Sequence, residues 1–336
     1  MPNPPKTTPM NGGIAMLIAA VTVATIVAVI LIGRQGPHSK SLGPQFSYEV
    51  DRYRHTDPSL VKYQETGSIQ TPYETVHGIC VGSDDSIYTI GDRKLTKHSP
   101  DGSEVFTASL DATPTCITIS DGERIAIGFR NHIELFSAKG KREKSWTKAG
   151  VKSHFTSIAT SPSAVYVADA GKRSVGVYDW SGNLLQEIDG KGVDDDARGF
   201  VIPSPYFDVA MGKEGLVWII NPGRHRVESY TTDGQFELSW GKTAMKVDGF
   251  SGCCNPVHLA VLPDGDFVTS EKGLNRIKTF AADGSFRDVV AGSEAFGPAE
   301  NADDIDIAVD SKGRILALDP WKRTIRIFER TTAPSR

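Results

Sequence analysis

Two cysteines stand side by side at Cys253-Cys254, between Gly252 and Asn255-Pro256, and they are half of the chain's four cysteines. A vicinal pair in such a turn supports three readings. It can close as a vicinal disulfide, a strained and reducible bond. As thiolates it can hold a soft metal such as copper or zinc. Alternatively, both residues are small and buried and do no chemistry. The pair lacks the Cys-x-x-Cys spacing of familiar redox and metal motifs. His258 follows closely, an imidazole able to ligate a metal or carry a proton, and His77, Asp208 and Asp306 are the residues that can join it. Asp194-Asp195-Asp196 offers clustered oxygens of the kind calcium selects, without the alternating spacing that turns several carboxylates toward one ion. No serine-histidine-aspartate arrangement, phosphate-binding loop or dinucleotide fingerprint is present, and Gly190-Lys191-Gly192 reads as a turn.

These residues need elements to position them, and the stretch from Pro256 to Phe286 supplies the pattern. Val257, Leu259 and Val261 alternate with His258 and Ala260, as in a strand, and Pro263-Asp264-Gly265 then turns the chain. Phe267-Val268-Thr269 and Arg276 to Phe280 read as two further strands, closed by Asp283-Gly284. Three antiparallel strands cannot bury two faces alone, so the unit needs copies of itself. The copies align on Ile79, Ile117, Ile158, Val209, Leu259 and Ile307, spaced 38, 41, 51, 50 and 48 residues apart. The expected fold is therefore all-β, a six-bladed β-propeller over residues 61–330. Val61 to Thr66 serves as the outer strand of the last blade and closes the ring.

In that fold the residue before each aligned apolar position faces the channel mouth: Gly78, Cys116, Ser157, Asp208, His258 and Asp306. His77, one residue offset, is a second candidate metal ligand beside His258. The connection Gly249 to Pro256 crosses the face where propeller ligands bind. Cys253, Cys254, Asn255, His258, Asp208 and Asp306 are accordingly the expected ligand-binding residues. Cys80 and Cys116 fall on inner strands, where packing accounts for them.

The repeat resembles the NHL family. The similarity rests on the stretches VYVADAGKRSVGVYD and ILALDPWKRTIRIF, and on an acid position filled by Asp169, Asn221, Glu271 and Asp319 with Arg173, Arg226, Arg276 and Arg323 after it. It implies a six-bladed NHL-type propeller in which these acid and arginine residues form repeating structural pairs. Pro256-Val257-His258-Leu259-Ala260 is also similar to the histidine motif of peptidylglycine amidating lyase, a six-bladed relative that holds zinc through inner-strand histidines. That resemblance implies His77 and His258 as metal ligands. Asp306 stands where a third histidine is wanted, whereas a catalytic zinc normally has three protein ligands. The Gly-Cys-Cys-Asn-Pro loop resembles that of anchored NHL proteins, which implies a link to membrane electron transfer.

Ahead of the propeller, residues 1–13 read as a disordered tail with four prolines. Residues 14–32 are nineteen uncharged, mostly apolar residues. As a helix they reach about 28 Å against a hydrocarbon core of about 30 Å. The run is too long for a cleaved signal and lacks an Ala-x-Ala exit, which makes it a transmembrane anchor. Charges on its two sides nearly balance and do not decide the orientation; an anchor ahead of a large domain most simply places the propeller on the extracytoplasmic, periplasmic side, and a propeller facing the cytosol is the alternative. Residues 33–60 form a polar linker, and 331–336 a short tail. The net charge of −4 and the lack of a basic stripe argue against a nucleic-acid partner. The expectation is a membrane-anchored binding or scaffold module for a protein or small molecule, without a cofactor of its own. The alternatives are a metal-dependent lyase or lactonase-like hydrolase at the channel mouth, using zinc, copper or calcium, and an electron-transfer accessory using the cysteine pair.

Overall fold

The computed structural model describes Met16 and residues 51–193, 198–297 and 304–331. The apolar stretch 14–32, Met16 apart, and the Asp194-Asp195-Asp196 run lie outside them. Among the described residues no helix is long and apolar enough to cross a membrane.

Each blade is a four-stranded antiparallel sheet. After β1 (Tyr63–Gln70), blade I holds β2 (Val76–Val81), β3 (Ile87–Gly91), β4 (Lys94–His98) and β5 (Glu104–Ser109). Blade II holds β6 (Cys116–Ile119), β7 (Ile125–Gly128), β8 (Ile133–Phe136) and β9 (Arg142–Ser145). Blade III holds β10 (Phe155–Thr160), β11 (Val165–Asp169), β12 (Ser174–Tyr178) and β13 (Leu184–Ile188). Blade IV holds β14 (Val209–Met211), β15 (Val217–Asn221), β16 (Arg226–Tyr230) and β17 (Phe236–Trp240). Blade V holds β18 (His258–Val261), β19 (Phe267–Glu271), β20 (Arg276–Phe280) and β21 (Phe286–Ala291). Blade VI runs through β22 (Asp306–Val309), β23 (Ile315–Asp319) and β24 (Thr324–Arg330), and β1 completes it.

The ring therefore closes where the sequence places the closure. β1 pairs antiparallel with β24 from Tyr63↔Arg330 to Gln70↔Thr324, with a bulge between Glu65 and Gly67. The last blade is thus stitched from both ends of the domain. An ion pair of 2.6 Å between Arg326 and Glu65 joins the two strands, and Arg326 also reaches Asp319 at 3.3 Å.

Every residue of the second strand in every blade is buried. Such a strand lies between its two blade neighbours with other blades above and below, which is why it reads as an almost unbroken apolar run. The core sits between blades: Ile79 and Ile87 of blade I pack with Leu316 and Ile327 of blade VI. Outer strands face solvent, and β9 is exposed at all four residues.

The repeat arginines do not share one structural position. Arg173 and Arg323 occupy left-handed turn positions with φ of 59° and 56°, as do His225 and Asn275 at 56° and 44°. Arg226 and Arg276 come one residue later, as the first residues of β16 and β20. The expected acid and arginine pair forms fully in blade V, between Glu271 and Arg276 at 3.0 Å. In blade VI it is Arg326 that meets Asp319. In blade IV Arg226 binds Glu228 at 2.8 Å, and Asn221 donates to the same carboxylate.

Part of the expected linker is structured. Residues Asp51–Arg54 form a short helix, α1, and Thr56 donates from its amide and hydroxyl to Glu294, each at 3.3 Å.

Candidate functional site: an acidic channel beside a dithiol loop

The inner strands β2, β6, β10, β14, β18 and β22 surround a cavity of about 550 Å³. Its wall carries Asp121, Asp208, Asp304 and Asp306 with His77, His154 and His258, and among the described residues neither lysine nor arginine lines it.

Asp208 and Asp306 are where the repeat predicts them, and both also brace the ring. One carboxylate oxygen of Asp208 accepts from its neighbour Val209 N at 2.8 Å and the other from Leu259 N of the next blade at 2.7 Å. Asp306 repeats this with Ile307 N at 2.8 Å and Ile79 N of blade I at 2.9 Å. Backbone amides that point into the channel have no ladder partner, and a buried amide left unpaired is costly, so an acid at this repeat position ties one blade to the next. Ser157 has a weaker version of the contact, accepting from Val209 N at 3.3 Å.

His258 fills the space between the acids. Its Nε2 meets Asp304 Oδ2, and its Nδ1 lies 3.3 Å from Asp306 and 3.6 Å from Asp208. Burial opposes protonation of the ring, but Asp306, Asp208 and Asp304 outweigh it and hold His258 well above its ordinary range. Carboxylates facing both ring nitrogens favour the protonated, imidazolium form. Burial in turn pushes the Asp306 carboxyl up to about 6 against the pull of His258, and Asp208 adds to the rise. His77 and His154 are shifted the other way, chiefly by burial, and stay neutral at pH 7.

Asp304 is a site residue that the repeat does not reveal. It precedes β22 by two residues, in a connection between blades, and no other blade carries a counterpart. Cys80 and Cys116 also line the channel. Burial raises both thiols, Cys116 to about 12, so neither is a thiolate at neutral pH. All four cysteines are free. Among the described residues no group of three or more His, Cys, Asp or Glu side chains is placed to hold a metal ion.

The Cys253-Cys254 loop is anchored from below by a buried charge cluster. Glu271, fully buried, takes Arg276 at 3.0 Å and Lys278 at 2.6 Å, and accepts from Ser251 N and Oγ at 3.2 Å. Lys278 Nζ also donates to the carbonyls of Val247 and Gly249, at 3.0 and 2.6 Å. Burial draws Lys278 down to about 8, with Glu271 opposing. Asn255 is structural here: its side chain donates to the Ser251 and Lys272 carbonyls at 2.7 and 3.0 Å and accepts from Lys272 N at 2.9 Å. The structure thus gathers Asp208, His258 and Asp306 into the channel, while Cys253, Cys254 and Asn255 form a separate loop against Ser204 and Lys272.

No family model matches the chain, and no curated protein matches it in sequence. Solved structures do match in fold. A streptogramin B lyase structure aligns with a TM-score of 0.54 at 13% identity, covering 80% of this chain and 97% of its own. Virginiamycin B lyase from Staphylococcus aureus gives 0.55 at 15%, over 80% and 99%. A structural genomics protein of unknown function from Bacteroides thetaiotaomicron gives 0.56 at 15%, over 79% and 71%. At this identity the likeness defines the class alone: the chain is a six-bladed β-propeller with structural neighbours of the virginiamycin B lyase type.

Proposed function

We propose that this chain is a ligand-binding propeller whose channel receives a small cationic molecule, and that residues 14–32 hold it at a membrane with the propeller on the extracytoplasmic side. The observation that carries the reading is the channel wall, where, among the described residues, four aspartates and no lysine or arginine line about 550 Å³. That volume suits a small ligand. Four carboxylates against the single cationic His258 leave the wall with an excess of acidic groups, and a low-dielectric wall with such an excess raises the local concentration of cations. The test is a thermal-shift screen of the full chain against size-matched small amines, neutral molecules and carboxylates. Stabilisation by amines alone supports the reading, and stabilisation by carboxylates counts against it.

A lyase reading draws on the printed names of the structural neighbours and on a histidine among carboxylates in the channel. It asks His258 to act as a base, which an imidazolium cannot do until it loses its proton. Turnover of a streptogramin B-type cyclic peptide, with or without added zinc, copper or calcium, would support that reading over simple binding.

A further inference from the structure

Cys253 is exposed and Cys254 is buried. Their sulfurs lie 3.2 Å apart. Lys272 brackets the pair, with its Nζ 3.3 Å from Ser204 Oγ and 3.9 Å from the centroid of the Tyr206 ring, which belongs to the channel wall. The two thiols are electrostatically unlike. Cys253 is raised above its ordinary range, first because it donates to the Cys254 sulfur and then by burial. Burial would raise Cys254 too, but hydrogen bonds from Ser204, Cys253 and Lys272 outweigh it and hold that thiol below the ordinary range. The loop therefore presents one reachable thiol backed by a sheltered, cation-stabilised sulfur. Access gives Cys253 the attack, because it alone is reachable by a disulfide in solution even though its raised pKa slows it, and the stabilised Cys254 thiolate beside it suits the resolving step.

We propose that Cys253 and Cys254 form a thiol–disulfide exchange site for small disulfides, with Cys253 as the attacking thiol and Cys254 as the resolving one. In the first step Cys253, deprotonated, attacks one sulfur of a disulfide RSSR. A Cys253–SR bond forms, the R–S–S–R bond breaks and one RS⁻ leaves. In the second step the Cys254 thiolate attacks Cys253 Sγ, the Cys253–Cys254 bond forms and the second RS⁻ leaves. The two protons of the original thiols end on the two RSH products. The protein pair is oxidised by two electrons and the small disulfide is reduced by two. Consecutive Cα atoms are only about 3.8 Å apart, below the roughly 4.4–6.8 Å usual for a disulfide. The product ring is thus strained and easily opened again by a thiol, which makes the site reversible.

The test titrates the full-length reduced protein with mixtures of oxidised and reduced glutathione. Products are read by intact mass and by peptide mapping after alkylation. The wild type loses two hydrogens, and alkylation of Cys253 and Cys254 disappears together. Cys254→Ser stops at a glutathione adduct on Cys253, and Cys253→Ser leaves Cys254 unmodified. Lys272→Gln gives the wild-type product with the pH profile of ring closure moved upward. The proposal is overturned by stable adducts without loss of hydrogens in the wild type, or by Cys254 reacting as fast in Cys253→Ser as Cys253 does in the wild type. An unchanged pH profile in Lys272→Gln would remove Cys254 from the resolving role. These readouts do not involve the channel ligand, so they stand or fall separately from cation binding.

Discussion

Replacing Glu271 by Gln keeps the shape of the buried cluster and removes its one negative charge. Glu271 and Lys278 side chains are 0% exposed and Arg276 is 3% exposed, so water cannot take the place of the carboxylate. Removing one partner of a buried ion pair costs about 3–5 kcal/mol. At about 2–4 °C per kcal/mol for a large domain, this predicts a fall in melting temperature of about 10 °C. The pH dependence follows from Lys278, whose folded pKa of about 8 lies below the 10.5 of an unperturbed lysine. Between those values the unfolded chain binds more protons than the folded one, so the lysine's contribution to stability rises with pH across that window. Without Glu271 the folded lysine titrates lower still, and the variant's added penalty is confined to pH below about 8, where wild-type Lys278 becomes neutral as well. The assay is thermal unfolding of the full chain, followed by tryptophan fluorescence, at pH 7 and pH 9. The deficit should be large at pH 7 and smaller, though present, at pH 9, because Arg276 stays charged. A melting temperature within about 2 °C of wild type at pH 7, or a deficit that grows with pH, would refute the reasoning.

Asp208→Asn leaves one acceptor for two buried amides and turns an NH₂ toward the other; it should lose about 1–3 kcal/mol in urea unfolding, more than Asp304→Asn, whose residue accepts from the His258 ring and from no amide among the described residues. Gly171→Ala would set its Cβ 1.8 Å from the Lys152 carbonyl oxygen, a backbone atom that cannot swing away. The same unfolding assay should read a loss of about 3 kcal/mol or more. Asp306 titrates at about 6, so a cation that needs its ionised form should gain about tenfold in affinity between pH 5 and pH 7. Competition titrations at the two values would check it. The sign also runs through stability: an acid raised above its unfolded value stabilises the fold at low pH, and that contribution is lost as pH rises through about 6.

The blades were legible because period-two strands recur with the same turns, and second strands such as Val165–Asp169, buried throughout, are apolar up to their terminal residue for want of a solvent face. The closure by β1 was legible because the sixth unit lacks an outer strand. Register was less so: Arg173 and Arg226 look equivalent in sequence, yet a left-handed turn residue separates them by one position. Asp208 and Asp306 were visible as channel residues, but their bracing role depends on amides 51 and 227 residues away in the chain. Asp304 carries no repeat signal at all. Lys278 looked like an ordinary alternating strand residue; its burial follows from the connection of residues 247–249 folding over blade V, where the Val247 and Gly249 carbonyls accept from its Nζ.

The central claim is that the acidic channel binds small cations. Its most direct test is calorimetric titration of the full chain at pH 7 with a small amine and a carboxylate of matched size, repeated on Asp304→Asn. The account predicts saturable binding of the amine at one site per chain, clear weakening in Asp304→Asn with a smaller loss in unfolding than Asp208→Asn shows, and no heat from the carboxylate. Equal binding of both molecules, or an amine affinity that Asp304→Asn leaves unaltered, would contradict it.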